Sequence, residues 1–245
     1  MDWFENEDLW RDLYPLMFPA ERWERAANEI EWILALAETD VENALDLCCG
    51  PGRHAIELVK KGIQVTGVDR TAFYLEKAKE RARDEGVEVE WVQSDMRNFI
   101  RPESFDLVLS MFTSFGYFEN EEDDLIVLSG IHKNLRADGV LILDMIGKEC
   151  IAANFQETSS VEEPDGTLFI ERRKIQSGWG RIENEWILIR EDKVSRFRFQ
   201  LAIYSGVEIR DRLHQVGFRN VKLLGDLQGT PYGWDARRLV VVARK

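Results

Sequence analysis

The sequence predicts an α/β protein: a doubly wound, mostly parallel sheet of seven strands with the last antiparallel, and a three-stranded antiparallel sheet inserted late in the chain. Three observations carry that expectation. Strand-like and helix-like segments alternate five times between residues 44 and 146, the pattern of βαβ units. FDLVLSM at 105–111 and VLILDM at 140–145 are near-continuous apolar runs, as expected of strands covered on both faces. After Ile146 the runs give way to long, charged, loosely alternating segments, the pattern of a sheet with one wet face.

In order, Ala44–Cys48 reads as the first strand, Gly50-Pro51-Gly52 as a tight turn, and Arg53–Lys61 as a helix with Gly62 at its end. Gln64–Asp69 is the second strand. Thr71 is placed to cap a helix carrying Leu75, Ala78 and Ala82 at helical spacing, and Gly86 stops it. Val87–Gln93 is the third strand. Four acids at 121–124 open a helix, where they complement its dipole, and Asp138-Gly139 ends it. Leu168–Ile175, Ile182–Arg190 and Val194–Tyr204 form the inserted meander, with turns at Ser177-Gly178 and Glu191-Asp192. Ser205 and Glu208 make a capping box for a helix reaching Gly217, and Asn220–Leu224 and Arg238–Ala243 close the chain as an antiparallel hairpin. The expected organisation is a helical cover over 1–39, a ligand-binding domain over 40–146 and 205–245, and an inserted substrate lid over 147–204.

Composition narrows the function classes. At 245 residues, 44% hydrophobic and 31% charged, the chain is long and apolar enough for a large core. A net charge of −13 opposes general DNA or RNA binding, which depends on neutralising phosphates, and opposes a membrane-surface role. The acidic N-terminus does not read as a signal peptide, and no apolar run approaches the ~20 residues of a membrane span. Three cysteines, two of them adjacent, build neither a disulfide framework nor a paired zinc motif, so a reducing cytoplasmic setting without a bound metal is expected. Residues 1–31 carry nine acids and three bases, whereas 168–200 carry eight bases and five acids. That basic stretch reads first as a solvated β face of mixed charge, and only second as a surface for an anionic partner such as RNA.

The strand, glycine turn and helix at 44–61 place a ligand crevice at the carboxyl end of the first strand. Gly50-Pro51-Gly52-Arg53-His54-Ala55 satisfies G-x-G-x-x-A, so a dinucleotide such as NADP is one reading. Asp46 argues against it, because a carboxylate at the strand end repels a pyrophosphate seated on the helix N-terminus. The same carboxylate attracts the sulfonium and ammonium of S-adenosyl-L-methionine. Asp69, ending the second strand, is placed to accept from both ribose hydroxyls with either cofactor. Asp95 can accept from an adenine amino group, with Met96 packing on the ring and Arg70 beside it.

Leu45-Asp46-Leu47-Cys48-Cys49-Gly50-Pro51-Gly52-Arg53-His54, Val65–Asp69, Gln93–Met96 and Phe105–Leu109 together resemble the class I S-adenosylmethionine-dependent methyltransferases, in particular the small-molecule branch with an inserted sheet. The resemblance covers about residues 40–146 closely and most of the remainder loosely. It implies a Rossmann-like sheet and methyl transfer to a small-molecule nitrogen or oxygen. It also implies cofactor contacts at Asp46, Gly50, Gly52, Asp69 and Asp95, with Cys48 standing where the family often has its first glycine.

Met111–Phe118 follows the fourth strand and faces the same crevice, so Met111 is expected beside the cofactor and Phe112 and Tyr117 beside the substrate. The loop 225–236 offers Tyr232 and Trp234 as a second lid, and Tyr14 is the N-terminal residue expected at the donor. Alignment suffices for an amine acceptor. A hydroxyl or ammonium needs a base, for which Asp144 and Tyr117 are the candidates. The competing readings are an NADP-dependent oxidoreductase, a non-catalytic cofactor-binding scaffold and, against the charge, an RNA methyltransferase.

Overall fold

The computed structural model describes residues 2–191 and 193–245. A single 3₁₀ turn, Trp3–Glu5, closed by a capping box between Asp2 and Glu5, leads into helices α1 (Glu7–Met17) and α2 (Ala20–Ala37). Then come β1 (Asn43–Leu47), α3 (Arg53–Lys60), β2 (Gln64–Asp69), α4 (Ala72–Asp84), β3 (Glu90–Gln93), β4 (Phe105–Ser110), α5 (Glu121–Asn134) and β5 (Leu135–Met145). The insertion holds α6 (Lys148–Asn154), β6 (Thr158–Glu162), β7 (Leu168–Ile175), β8 (Arg181–Arg190) and β9 (Lys193–Ala202). Helix α7 (Gly206–Gln215) and strands β10 (Arg219–Leu224) and β11 (Leu239–Arg244) end the chain.

The main sheet has the order β10-β11-β5-β4-β1-β2-β3, with β11 antiparallel to both neighbours. Its apolar runs divide between two helical layers by strand alternation. Leu107, Leu109, Val140, Ile142, Val240 and Val242 face Ile30 and Ile33 of α2 and Ala55 and Leu58 of α3. Val108, Leu141, Leu143 and Val241 pack in the other layer with α1, α5 and α7. Among the described residues no helix is long and apolar enough to cross a membrane.

The structure departs from the pattern reading in four places. Residues 94–104 pass from β3 to β4 without a helix. Strand β3 starts at Glu90, not Val87, because pairing with β2 begins at Thr66↔Glu90. Helix α5 stops at Asn134, whose buried side chain accepts from Arg101 N at 2.6 Å and donates to Phe99 O at 3.1 Å. Asp138, in a left-handed conformation, therefore sits in an irregular early part of β5 and does not close a helix. The inserted sheet has a fourth strand, β6, pairing with β7, and α6 precedes it. The β8–β9 turn passes through Glu191; Asp192 lies outside the described residues. On the basic face of this sheet Arg172, Arg196 and Arg198 converge on Glu185, an arrangement of mixed charge. Both ends of the insertion meet at one point. Lys148 N donates to Tyr204 O at 2.9 Å, and Glu149 accepts from Gly206 N at 3.1 Å and from the Tyr232 hydroxyl at 2.8 Å.

Asp124, in the first turn of α5, is fully buried under Tyr204, whose hydroxyl donates to Oδ2 at 2.5 Å while Oδ1 has no partner. Burial raises its carboxyl to about 6, only partly opposed by the Tyr204 hydrogen bond. A carboxyl that holds its proton more tightly when folded contributes most below its unfolded value near 4, and that contribution is lost as pH rises through 6. The expected outcome is a fall in unfolding free energy of about 2–3 kcal/mol between pH 4 and 7. Asp124→Asn should flatten that slope in chemical denaturation at a series of pH values; an unchanged slope assigns it to other groups.

Candidate ligand-binding site at the strand ends

The carboxyl ends of β1, β2, β3 and β4 surround a cavity that holds about 890 Å³ of empty space including its mouth. Its floor is the turn after β1, where Cys48 (φ 62°), Gly50 (φ 54°) and Gly52 (φ 84°) are all left-handed. For the cysteine that geometry costs roughly 1–2 kcal/mol. The turn is held from β2: Asp69 Oδ2 accepts from Gly50 N and Oδ1 from Thr71 N, both at 2.8 Å. From behind, the Trp91 ring fills the space that a Cβ on Gly52 or Gly67 would need. Gly50 lines the cavity, whereas Gly52 does not. Its place in the site is to let the turn close on Trp91, a residue that the glycine motif gave no reason to single out.

Three carboxylates expected at the rim do converge there. Asp46 is 2% exposed, and its Oδ2 is buried without a hydrogen-bond partner. Burial raises its carboxyl above the usual range despite the nearby charges of His54 and Arg53. Burial likewise raises Asp69, with the Thr71 and Gly50 amides opposing it. Burial also raises Asp95, but hydrogen bonds from Arg97 outweigh it and hold that carboxyl below its ordinary range. Asp95 accepts from Arg97 N, Nε and Nη2 at 2.9–3.0 Å. Arg70 pairs with Glu5 at 2.8 Å and approaches Asp95 at 3.8 Å. Met96 and Met111 are on the wall, and Cys48 Sγ lies 3.8 Å from Met96 Sδ. Burial raises both Cys48 and Cys49 well above the usual thiol range, which disfavours thiolate chemistry.

Phe112 and Tyr117 also line the cavity. Phe112 and Thr113 are consecutive left-handed residues, and Asp144 braces them. Asp144 Oδ2 accepts from Phe112 N at 3.0 Å, its carbonyl accepts from Thr113 N at 2.9 Å, and Oδ1 accepts from Arg238 Nε at 2.7 Å. With both carboxylate oxygens engaged and no place on the cavity wall, Asp144 is a brace, not the expected base. The other expected substrate contacts also lie off the wall. Tyr14 packs against Phe18, Phe73 and Tyr74; Tyr232 points to Glu149 and Cys150; Trp234 is 81% exposed.

The structure adds residues outside the expected contact set. Phe4 and Trp10, brought over by the N-terminal turn and α1, and Phe118 complete the apolar wall. Glu29 of α2 pairs with Arg53 and lies 2.8 Å from His54 Nε2, and both partners line the cavity. Burial raises Glu29, but the His54 hydrogen bond and Arg53 charge more than offset this and leave it at about 2. Arg22 lies 4.1 Å from the Phe112 ring centre and donates to Met17 O at 2.5 Å. Burial and the charges of Arg53 and Arg238 lower its guanidinium from the ordinary value. Among the described residues no three His, Cys, Asp or Glu side chains are grouped to hold a metal ion. A ligand combining a cation for Asp46, hydroxyls for Asp69 and a flat apolar portion for Phe4, Met96 and Phe118 matches these walls.

Residues 44–139 match the family described as "Methyltransferase domain". The glycine/sarcosine N-methyltransferase of Aphanothece halophytica is 28% identical over 90% of this chain and 83% of its own length. Among solved structures, the CcbJ methyltransferase of Streptomyces caelestis superposes with a TM-score of 0.79 at 18% identity, covering 90% of this chain and 94% of that one. CalS10 of Micromonospora echinaspora, an amino pentose methyltransferase solved with S-adenosylmethionine bound, gives 0.69 at 22% identity over 97% of both chains.

The glycine turn yields a test that separates sterics from dihedral strain. Gly52→Ala should destabilise by about 2–4 kcal/mol, because a left-handed alanine must also displace Trp91, and should lower Tm by roughly 5–10 °C. Gly62→Ala, equally left-handed but in open space, should lose only about 1 kcal/mol. Equal losses in thermal unfolding would show that the Trp91 contact is unimportant.

Proposed function

We propose that this chain is a class I S-adenosylmethionine-dependent methyltransferase that methylates the nitrogen of a small-molecule amine. The observation that carries the reading is the buried, unpartnered Asp46 Oδ2 on the wall of the strand-end cavity. Leaving a buried acceptor unpaired costs about 1–3 kcal/mol, more for a charged one, so the site is built for a ligand that supplies a cationic donor. A pyrophosphate there would meet repulsion instead, which disfavours the dinucleotide reading.

In this reading Asp46 takes the cofactor's ammonium, and Arg22, which stands off the wall but packs on its Phe112 ring, takes the carboxylate. Each Asp69 oxygen already accepts one amide and keeps a further lone pair for a ribose hydroxyl. Asp95 faces the base, and Phe4, Met96 and Phe118 enclose it. Gly50, Cys48 and Met111 shape the middle of the cavity. Residues between 4 and 18 and between 46 and 118 line the site, and the inserted sheet meets it through the contact of Phe199 with Trp3. Bound there, S-adenosylmethionine supplies an electrophilic methyl group on a positively charged sulfur.

The chain's own task is then alignment and exclusion of water. Holding two reactants in near-attack geometry is worth ~7–11 kcal/mol, enough for a neutral amine. Trp10, Tyr117 and Phe118 keep water from the reacting region. Burial raises the Tyr117 phenol above its ordinary value, so it stays neutral and orients the acceptor as a donor. Asp144 being committed to Phe112 and Arg238 favours an acceptor that is already nucleophilic and gives its surplus proton to solvent. Nitrogen as the acceptor atom is supported by a relative named glycine/sarcosine N-methyltransferase.

Asp46→Asn and Arg22→Gln should each weaken S-adenosylmethionine by about tenfold or more, the scale of one charge-assisted contact. Both should bind methylthioadenosine, which lacks the amino-acid portion, as the parent does. Asp46→Asn should also raise the Tm of the ligand-free protein by removing a buried charge. Calorimetry with the two ligands decides the assignment: equal weakening of both, or of neither, overturns it.

A further inference from the structure

The roof of the site is aromatic and contains a feature that the cofactor reading leaves unexplained. Trp3, in the short turn before α1, does not line the cavity. It lies between Tyr117, which does, and Phe199 on the inner face of β9. Its ring centre is 4.7 Å from that of Tyr117 and 4.5 Å from that of Phe199, stacked on the latter at 24°. The Trp3 indole N–H is buried without a partner, and so is that of Trp186, whose ring meets Phe199 edge-on at 4.6 Å.

The rest of this inner face follows from the register. Phe169, Leu188, Trp186, Phe197 and Phe199 alternate inward, while Arg172, Arg196 and Arg198 point to the opposite face. The arginines nearest the roof are engaged: Arg181 with the carbonyls of Phe118 and Glu119, Arg190 with Asp12 O, and Arg173 with Glu171 and Ser159. Among the described residues of this inner face, a small carboxylate-bearing amine therefore finds apolar ring faces and arginines that are already paired.

We propose that the Trp3 indole is a placeholder, and that the methyl acceptor is a planar arylalkylamine whose ring replaces it between Tyr117 and Phe199. This rests on the methyltransferase reading above and names its substrate class. Three properties suit Trp3 to the part. It is itself a flat aromatic ring, stacked on Phe199 and tilted or edge-on to Phe4, Trp10 and Tyr117. It belongs to a three-residue turn, not to a long helix, so its withdrawal costs little regular structure. Its N–H is buried unsatisfied while it is in place, which favours exchange with water or a better-matched ligand. Occupation by an amine-bearing ring puts the nitrogen next to Tyr117, on the wall of the cofactor cavity.

The test measures transfer of labelled methyl from S-adenosylmethionine to tryptamine, glycine and sarcosine, with cofactor binding measured separately by calorimetry. The expected result is a kcat/KM for tryptamine at least about tenfold above those for glycine and sarcosine, the scale of one stacked aromatic contact desolvated in a pocket. Trp3→Ala, and the milder Trp3→Leu, should lower the KM for tryptamine about threefold or more, since the placeholder no longer competes. Phe199→Ala should raise it, and the cofactor's Kd should stay within about twofold in all three variants. Preference for glycine or sarcosine, or no transfer to tryptamine by protein that binds the cofactor, overturns the acceptor class. An unchanged KM in both Trp3 variants overturns the placeholder. Failure to bind S-adenosylmethionine at all overturns the proposed function itself.

Discussion

The Asp69 carboxylate is the interaction on which the site depends. Its two oxygens accept the amides of Gly50 and Thr71, so the turn after β1 and the start of α4 share one anchor at the tip of β2. A glycine turn has many conformations when free, and ordering each residue costs on the order of 1–2 kcal/mol. Here it is fixed from two sides, by Asp69 in front and by Trp91 behind. With the turn fixed, α3 starts where Arg53 and His54 reach Glu29, and Asp46 is left facing the cavity with one oxygen free.

That arrangement places several charges in a poorly solvated region, and they are handled differently. Glu29 is matched with Arg53 and His54 and remains ionised. Asp95 is matched with Arg97. Asp46 is not matched. Buried charges are tolerated when paired and are costly when alone, so the unpaired one stands out as a place where the fold gives up stability. Glu29 also joins two parts of the chain, since it lies on α2 and holds residues of the turn that follows β1.

How much of this was legible depends on how local the signal was. The Rossmann-like sheet, its antiparallel last strand and the rim carboxylates Asp46, Asp69 and Asp95 follow from short patterns in which alternation and turn chemistry act within a few residues. Asp144 misled because its place at a strand end was legible, whereas its partners, Phe112 N and Arg238, come from distant segments. Trp91, Arg22 and Phe4 were missed for the same reason: each acts through packing across the fold, which no spacing encodes. Tyr14, Tyr232 and Trp234 were singled out for ring chemistry in flexible-looking context, but a ring says nothing about which surface it meets. Strand β6 was passed over because Thr158–Glu162 is short, polar and mostly exposed, as edge strands often are.

The inserted sheet leaves and rejoins the main fold at neighbouring points, with the Lys148–Tyr204 and Glu149–Gly206 bonds closing its neck. A segment attached in this way is exchangeable: it can lengthen, lose a strand or change its inner face without moving β5 or α7 out of register. Such a neck lets the inner face of the insertion change while the glycine turn after β1 stays fixed. The neck thus separates two mechanical tasks, since strain introduced in the inserted sheet ends at these two bonds and is not passed on to the main sheet.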